Sequence, residues 1–225
     1  MLKFYYHPTP NPMKVALFLE EAGLPFELIP VDTAKGEQHH AAFRAVNPNG
    51  KLPAIDDNGT VVFDSNAILL YLAEKTGQFL GHAADRGDLL SWLMFIASGL
   101  GPFSGQSVHF QRAAPEPVPY ALNRYLREAE RHYGVLNSRL AGREYLVGDS
   151  FTIADIAAWA WVDRADLVLG AGRRAAFPEV ERWFQAINAR PAVARARAIG
   201  KGITFKAPGD DASRRALYPS NYAAA

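Results

Sequence analysis

The sequence has 225 residues, of which 49% are hydrophobic and 12% aromatic, so it can form one large domain or two small ones with a substantial core. Its formal net charge of +1 gives no electrostatic basis for binding nucleic acid or an acidic membrane surface. It contains no cysteine, which excludes a disulfide, a thiolate zinc site and a cysteine nucleophile within this chain. The N-terminus lacks the apolar core of a signal peptide, and no apolar run approaches the roughly 20 residues of a membrane span. We therefore expect a soluble, cytoplasmic protein.

The first third of the chain predicts a small α/β layer. Residues 2–6 and 26–31 have strand-like patterns, and a helix-like pattern covers residues 13–22 between them. A strand, a helix and a strand in so short a span predict a right-handed βαβ unit with parallel strands. The Asp-Asn-Gly sequence at 57–59 is a hairpin turn signal between two short apolar runs, and a helix over residues 66–75 closes the layer.

After Gly77 the pattern becomes helical. Residues 85–195 predict helices interrupted near residues 99–102, 113–119, 142–149 and 170–177. Strands followed by a run of helices predict two domains, 1–77 and 85–200. Thr152 and Asp155 form a capping box at the start of one helix, which we interpret as structural. Residues 201–225 are polar and contain glycine and proline, so we expect an extended or partly disordered tail.

Two polar turn segments, at 47–50 and 64–65, each lead into an apolar segment. Pro53 stands at the entry of the first, where it can adopt the cis form, and Leu52 would then offer a donor and an acceptor to an extended peptide. Asp64 and Ser65 precede a helix, whose free N–H groups favour a carboxylate. Together with the cation of Lys51, these features fit a small zwitterionic peptide. Each feature alone is also common at the start of a strand or a helix, where it has a purely structural role.

With these motifs, the chain resembles a cytosolic glutathione transferase over about residues 1–200. The resemblance rests on residues 47–55, on 64–72, and on 150–155 with Ala157 and Trp161 beyond. Within the family it is most similar to the bacterial Nu class and the related fungal nitrogen regulators. That closer likeness is carried by residues 8–11, 73–77, 99–102, Gln106 and 119–121. The resemblance implies a thioredoxin-like N-terminal domain, an all-helical C-terminal domain and a homodimer.

The resemblance also implies glutathione as the co-substrate, a tripeptide with a γ-glutamyl end, a thiol and a glycyl carboxylate. Leu52 would pair with the cysteinyl backbone of the ligand, Ser65 would take the γ-glutamyl carboxylate, and Asp64 would take its ammonium group. Lys51 and Gln38 would hold the glycyl carboxylate. Charge-assisted bonds of this kind contribute about 1.5–3 kcal/mol each when they are shielded from water.

Members of the family lower the thiol pKa with a donor near the end of the first strand, many with a Tyr or Ser hydroxyl and others with a Cys. Here the Ser-type position falls on Pro10, which has no donor. Tyr5 and Tyr6 lie inside the predicted strand, so we interpret them as core or interface residues. Thr9 and Asn11 remain, beside a helix start near residue 12, and such a set of donors can stabilise a thiolate together. The alternative is that Thr9 and Asn11 only shape a tight turn.

The helix after the Gly-Pro sequence at 101–102 normally lines the second-substrate pocket in this family. The candidates for that pocket are Phe103, Gln106, His109 and Phe110. These four residues are equally well explained as core aromatics and their neighbours. The six histidines are scattered, and no two fall at a useful helical spacing with an acid nearby, so we expect no metal site.

Arg124 lies on the predicted helix at 120–140, which is long enough to form a dimer interface. In one interpretation Arg124 belongs to a solvated basic stripe. In the other it reaches across a two-fold axis to a carboxylate of glutathione in the partner subunit's site, because a guanidinium binds carboxylates through two parallel donors.

The leading functional hypothesis is an enzyme that uses the glutathione thiolate to reduce a small disulfide or a peroxide. Nu-like sites accommodate two glutathione units or oxidised glutathione, which favours reduction over conjugation to an electrophile. Both sulfur atoms that react in the thiol–disulfide exchange then belong to the ligand, so the protein needs no cysteine. The alternative is a binding or regulatory module that kept the fold and lost the chemistry. The missing Tyr, Ser or Cys supports that alternative, and the retention of Lys51, Pro53, Asp64 and Ser65 argues against it.

Overall fold

The first 63 residues supply one four-stranded sheet. In the computed structural model, which describes residues 1–222, the strands are β1 (Leu2–Tyr6), β2 (Phe26–Pro30), β3 (Ala54–Asp57) and β4 (Thr60–Phe63). Their order is β2-β1-β3-β4, with β1 parallel to β2 and antiparallel to β3, and with β3 antiparallel to β4. Asn58 and Gly59 turn β3 into β4 at φ values of 51° and 96°. The predicted βαβ unit and hairpin are therefore confirmed.

Three helices accompany this sheet: α1 (Pro10–Ala22), α2 (Ala41–Val46) and α3 (Ser65–Thr76). The first begins at Pro10, three residues earlier than the apolar pattern predicts. Proline suits a first helical position, because the N–H that it lacks would have no partner inside the helix. The helix ends at Gly23, whose φ of 65° is in the left-handed region that favours glycine.

Helices account for most of residues 83–198, as predicted for residues 85–195, and one more helix lies in the C-terminal part of the described chain. These helices are α4 (Arg86–Phe95), α5 (Gly101–Arg112), α6 (Pro119–Leu140), α7 (Ile153–Val162), α8 (Ala165–Val168), α9 (Pro178–Asn188), α10 (Pro191–Ala198) and α11 (Asp211–Leu217). The predicted break near residues 99–102 is wrong: a π-helical turn, Ile96–Leu100, joins α4 directly to α5. Gly99 and Gly101 allow close packing of this turn. A Cβ atom on Gly99 would collide with His132, and a Cβ atom on Gly101 would crowd Trp161.

The centre of the helical part is α7, all of whose residues are buried. Asp155 in its first turn accepts hydrogen bonds from the backbone N–H groups of Thr152 (3.0 Å) and Leu146 (2.9 Å) and from Nε1 of Trp183 (2.9 Å). This confirms the capping box as a structural feature. Burial nevertheless raises the pKa of Asp155 to about 6. In the described residues 1–222, no helix is both long and apolar enough to cross a membrane.

Residues 201–222, which we call the C-terminal segment, differ from the extended or disordered tail that their composition predicts. The segment forms α11, whose first turn is capped by Asp210 accepting from the backbone N–H of Ser213 at 2.6 Å. The segment packs on the 3₁₀ turn at Thr33–Lys35, and the backbone N–H of Lys206 donates to Asp32 at 2.7 Å. The polar residue Ser213 is fully buried in this segment, so the sequence contains no simple apolar pattern that predicts the packing. Residues 223–225 of the expected tail lie outside the described residues.

Candidate functional site

Two neighbouring cavities lie where the sheet domain, α5, α7 and the C-terminal segment meet. The first has a volume of about 510 Å³ and the second about 660 Å³. Asn11, Gly105, Trp161 and Tyr218 line both cavities and form the boundary between them. The predicted site residues that line the first cavity are Asn11, Lys51, Asp64, Ser65, Gln106 and His109. The structure thus brings together side chains from residues 11 to 109.

The first cavity contains the start of α3. Asp64, with a φ of 70°, is the N-cap residue, and its Oδ1 accepts from the backbone N–H groups of Asn66 (2.9 Å) and Ala67 (3.2 Å). Both capping bonds go to one carboxylate oxygen. The helix dipole adds a partial positive charge at the same place, which favours an anion beside Ser65.

Lys14 is a member of this site that the sequence analysis missed. Its side chain is only 1% exposed, and its Nζ donates to Oγ of Ser65 (3.2 Å) and Oδ1 of Asn66 (3.3 Å). Burial lowers the pKa of the Lys14 ammonium to about 7, although the nearby Asp64 carboxylate opposes that shift. The signal available in the sequence was a single lysine within the otherwise apolar run of residues 12–19. The structure buries all eight of these residues. A buried amine beneath a helix N-terminus strengthens the positive potential for a bound carboxylate.

Thr9 and Asn11 lie at the start of α1, beside the cavities. Thr9 is the exposed N-cap residue, and its side chain makes no capping hydrogen bond, so its hydroxyl is not used by the helix. Thr9 lines the second cavity, and Asn11 lines both. Tyr6, by contrast, is 2% exposed, and its hydroxyl donates to the backbone O of Ile199 at 3.4 Å. Burial raises its pKa, which agrees with the interpretation of Tyr6 as a core residue.

The predicted glycyl-carboxylate pair is separated in the structure. Lys51 is exposed and lines the first cavity, with its Nζ 5.8 Å from the ring centroid of Tyr218. Gln38 is 3% exposed and lines neither cavity, because α11 covers it and its Nε2 donates to the backbone O of Ala216 at 3.1 Å. The structure therefore does not bring Gln38 to the site. The Leu52–Pro53 bond, just before β3, is cis.

The four second-substrate candidates divide between two faces of α5. Gln106 and His109 are three residues apart and face the first cavity. Phe103 and Phe110 are seven residues apart, on another face, and lie against Tyr125 of α6 with ring centroids 6.3 and 5.2 Å away. The expectation that Phe103 and Phe110 line the pocket is thus corrected, because both rings pack against Tyr125 of α6.

Arg124 lies on the exposed side of α6. It pairs with Glu128 at 3.2 Å, and Glu128 also pairs with Arg131 at 3.0 Å. The basic stripe is therefore balanced within its own helix, and Arg124 remains more than half exposed. Within residues 1–222, no group of three or more His, Asp or Glu side chains could hold a metal ion.

A thioredoxin-like sheet, a cavity at the start of its third helix and an all-helical second part define the architecture of glutathione transferases. The comparison with protein families agrees. Residues 9–75 match the family described as "Glutathione S-transferase, N-terminal domain", and residues 113–191 match "Glutathione S-transferase, C-terminal domain". The chain belongs to the glutathione S-transferase family.

Individual relatives cover most of the chain. It is 46% identical to the disulfide-bond oxidoreductase YfcG of Escherichia coli strain K12 over 209 residues, covering 87% of this chain and 94% of that protein. A glutathione transferase family member from Pseudomonas fluorescens, solved with two glutathione bound, superimposes with a TM-score of 0.81 at 40% identity, covering 87% and 91% of the two chains. A glutathione transferase from Pseudomonas putida, solved with one glutathione disulfide per subunit, gives 0.80 at 37% identity, covering 88% and 91%.

Proposed function

We propose that this protein binds glutathione in the first cavity and uses it to reduce a small disulfide. The observation that carries the proposal is the set of charged and polar groups around the start of α3: Lys14, Lys51, Asp64 and Ser65 line one cavity. A zwitterionic peptide needs carboxylate-binding and ammonium-binding groups at a short separation, and this set contains both. The named activity of YfcG and the ligands of the two solved relatives support the same assignment.

In this proposal the γ-glutamyl carboxylate lies at the N-terminus of α3, beside Ser65 and above the amine of Lys14. The γ-glutamyl ammonium group pairs with the carboxylate of Asp64, and the glycyl carboxylate pairs with Lys51. Leu52 contributes its backbone to the cysteinyl part of the ligand. Each charge-assisted bond contributes about 1.5–3 kcal/mol when shielded from water.

The thiol of glutathione is directed toward the start of α1, where Thr9 and Asn11 supply a hydroxyl and an amide. Several donors beside a helix N-terminus favour the thiolate over the thiol. This arrangement takes the place of the single tyrosine or serine donor, since Tyr6 is turned into the core. The protein contains no cysteine, so both reacting sulfur atoms belong to the ligands, in agreement with the Nu-like assignment that the sequence motifs suggest.

The reaction consumes two glutathione molecules and one disulfide. The glutathione thiolate attacks one sulfur of the disulfide, that S–S bond breaks, and the other sulfur leaves as a thiolate that takes up a proton. The resulting mixed disulfide is attacked by a second glutathione thiolate, which releases the second thiol and forms glutathione disulfide. Two electrons pass from two glutathione thiols to the substrate, and no other reductant is required.

The test combines binding with turnover. Calorimetry should detect glutathione binding, and formation of glutathione disulfide from hydroxyethyl disulfide should depend on Asn11 and Thr9. Asp56→Asn, at a carboxylate of β3 that lines neither cavity, is the control variant and should leave both measurements unchanged. Binding without turnover of disulfides would instead support the alternative of a regulatory, non-catalytic module, and absence of binding would contradict both functions.

A further inference from the structure

The second cavity, of about 660 Å³, has a one-sided charge. Arg112 of α5, Arg164 after α7 and Arg214 of α11 all line it, and within residues 1–222 no aspartate or glutamate does. We call it the arginine cavity. The chain as a whole has a net charge of only +1, so this concentration of cations is local. Three guanidinium groups without a facing carboxylate create a positive potential that attracts anions.

Within residues 1–222, none of these three arginines makes an ion pair with another element of the structure. Within the described residues, Arg112 and Arg164 have no carboxylate within 4.0 Å, and Arg214 reaches only Asp211 of its own helix at 3.9 Å. Other arginines of the chain behave differently: Arg190, for example, makes two bonds to Glu21 at 2.5 and 2.9 Å. The cavity arginines therefore keep donors available for a ligand.

Arg214 is brought to the cavity by the docking of the C-terminal segment. Ala216 accepts from Gln38 at 3.1 Å, and it lies so close to Gly36 that a Cβ atom placed on that glycine would be 3.6 Å from the Cβ of Ala216. The ring of Tyr218 meets the ring of His109 edge-on at a centroid distance of 5.0 Å. The segment therefore forms one wall of the arginine cavity and, through Tyr218, part of the boundary with the first cavity.

We propose that the arginine cavity selects disulfides that carry carboxylate groups, and that Arg214 on the C-terminal segment is a specificity-determining residue. This inference rests on the proposed disulfide reduction. The sulfur attacked by glutathione lies near Asn11, at the boundary of the two cavities, and the half of the substrate that leaves as a thiolate lies in the arginine cavity. Its carboxylate is held by two or more guanidinium groups, which bind carboxylates through paired donors.

Three small disulfides of similar length and different charge test the proposal. They are dithiodiglycolate, which is anionic, hydroxyethyl disulfide, which is neutral, and cystamine, which is cationic. We expect the kcat/KM of the wild type to follow that order, with the anionic substrate favoured by about tenfold over the neutral one, as one charge-assisted bond allows. Added salt should reduce the preference by screening the arginines.

Arg214→Gln should raise the KM for dithiodiglycolate by about tenfold while the KM for hydroxyethyl disulfide and for glutathione changes less than about twofold. Arg112→Gln, on a different element, should show the same selectivity, which separates lost recognition from a loosened tail. Arg215→Gln is the matched control, because Arg215 is on the same helix but pairs with Asp211 at 2.9 Å and does not line the cavity. An equal loss on all three substrates would overturn the proposal.

A binding measurement keeps this inference separate from the proposed function. Dithiodiglycolate is titrated by calorimetry into the protein without glutathione, so the result does not require turnover. Affinity that falls by about tenfold in Arg214→Gln supports the anion site even if the enzyme reduces no disulfide. No detectable binding to the wild type, or selective binding of glutathione disulfide alone, would contradict a site for carboxylate-bearing disulfides in general.

Discussion

The Nζ atom of Lys14 lies 3.2 Å from Oγ of Ser65, so a buried amine on the first helix supports the residue that begins the third helix. The two residues are 51 positions apart in the sequence. Because Lys14 is almost fully enclosed, its charge is costly, and Ser65, Asn66 and the nearby Asp64 compensate it only in part. This relationship makes both stability and ligand binding sensitive to the protonation of one lysine.

Lys14 predicts a specific dependence of stability on pH. Its pKa falls from 10.5 to about 7 on folding, so between these values the unfolded chain binds more protons than the folded chain. Stability that depends on Lys14 therefore rises with pH above about 7 and is flat below it. We expect the free energy of unfolding of the wild type, relative to Lys14→Met, to increase by up to about 1.4 kcal/mol per pH unit between about pH 7 and pH 9.

The measurement is urea unfolding of both proteins across that range. Asp155 and the other titrating groups are present in both proteins, so their contributions cancel in the difference. A difference that stays constant from neutral to alkaline pH would show that Lys14 remains charged in the folded protein.

The start of α3 should carry most of the affinity for glutathione. The double variant Asp64→Ala with Ser65→Ala should bind glutathione at least about tenfold more weakly, since about 1.4 kcal/mol suffices for that change. Asp64→Asn is the informative companion, because asparagine can still cap the helix while it lacks the negative charge. Calorimetry that gives an unchanged affinity in the double variant would contradict this assignment.

Thr9 and Asn11 should share the stabilisation of the thiolate. In Thr9→Ala and Asn11→Ala the pKa of bound glutathione should rise by about one unit each, the equivalent of one hydrogen bond to a charged group. Tyr6→Phe should leave it unchanged, since the Tyr6 hydroxyl contacts Ile199 and lines neither cavity. The ultraviolet absorbance of the thiolate against pH measures this directly. If only Tyr6→Phe raised the thiol pKa, the roles would have to be exchanged.

Arg124 tests the proposed dimer. If it binds a glutathione carboxylate in the partner subunit's site, Arg124→Ala should weaken glutathione binding by about tenfold and leave the mass of a dimer in light scattering unchanged. Arg127→Ala is the control, because Arg127 lies on the same helix and pairs with Glu130 at 2.8 Å. A monomeric wild-type protein would remove the hypothesis.

Asp155 should be important for stability. Asp155→Ala leaves the buried N–H groups of Leu146, Thr152 and Trp183 without an acceptor, so we expect a loss of about 3–5 kcal/mol. Asp149→Ala is the comparison, since the Asp149 side chain is 82% exposed and pairs with the exposed His82 at 3.2 Å, and its loss should cost less than about 1 kcal/mol. Thermal or urea unfolding of the two variants distinguishes these outcomes.

The sequence alone determined the features that depend on neighbouring residues. Alternation and turn chemistry predicted β1 at residues 2–6 and the hairpin at Asn58 and Gly59, and the capping box of Thr152 and Asp155 followed from residues three positions apart. Asp64 and Ser65 could be recognised because a helix start carries its own polar signature. Each of these signals lies within a few residues of the structure that it specifies.

Only the tertiary structure decided which groups share the site. Lys14 meets Ser65 across 51 positions, and Gln38 is covered by Ala216 across 178, so no local pattern could bring the first into the cavity or remove the second. Gln106 and Phe103 are three residues apart on α5, so helical spacing alone does not separate them, and it is the packing of α6 that covers Phe103 and leaves Gln106 facing the cavity. The physical reason is that burial and charge pairing depend on segments far apart in the chain, whereas helix, strand and turn signals are local.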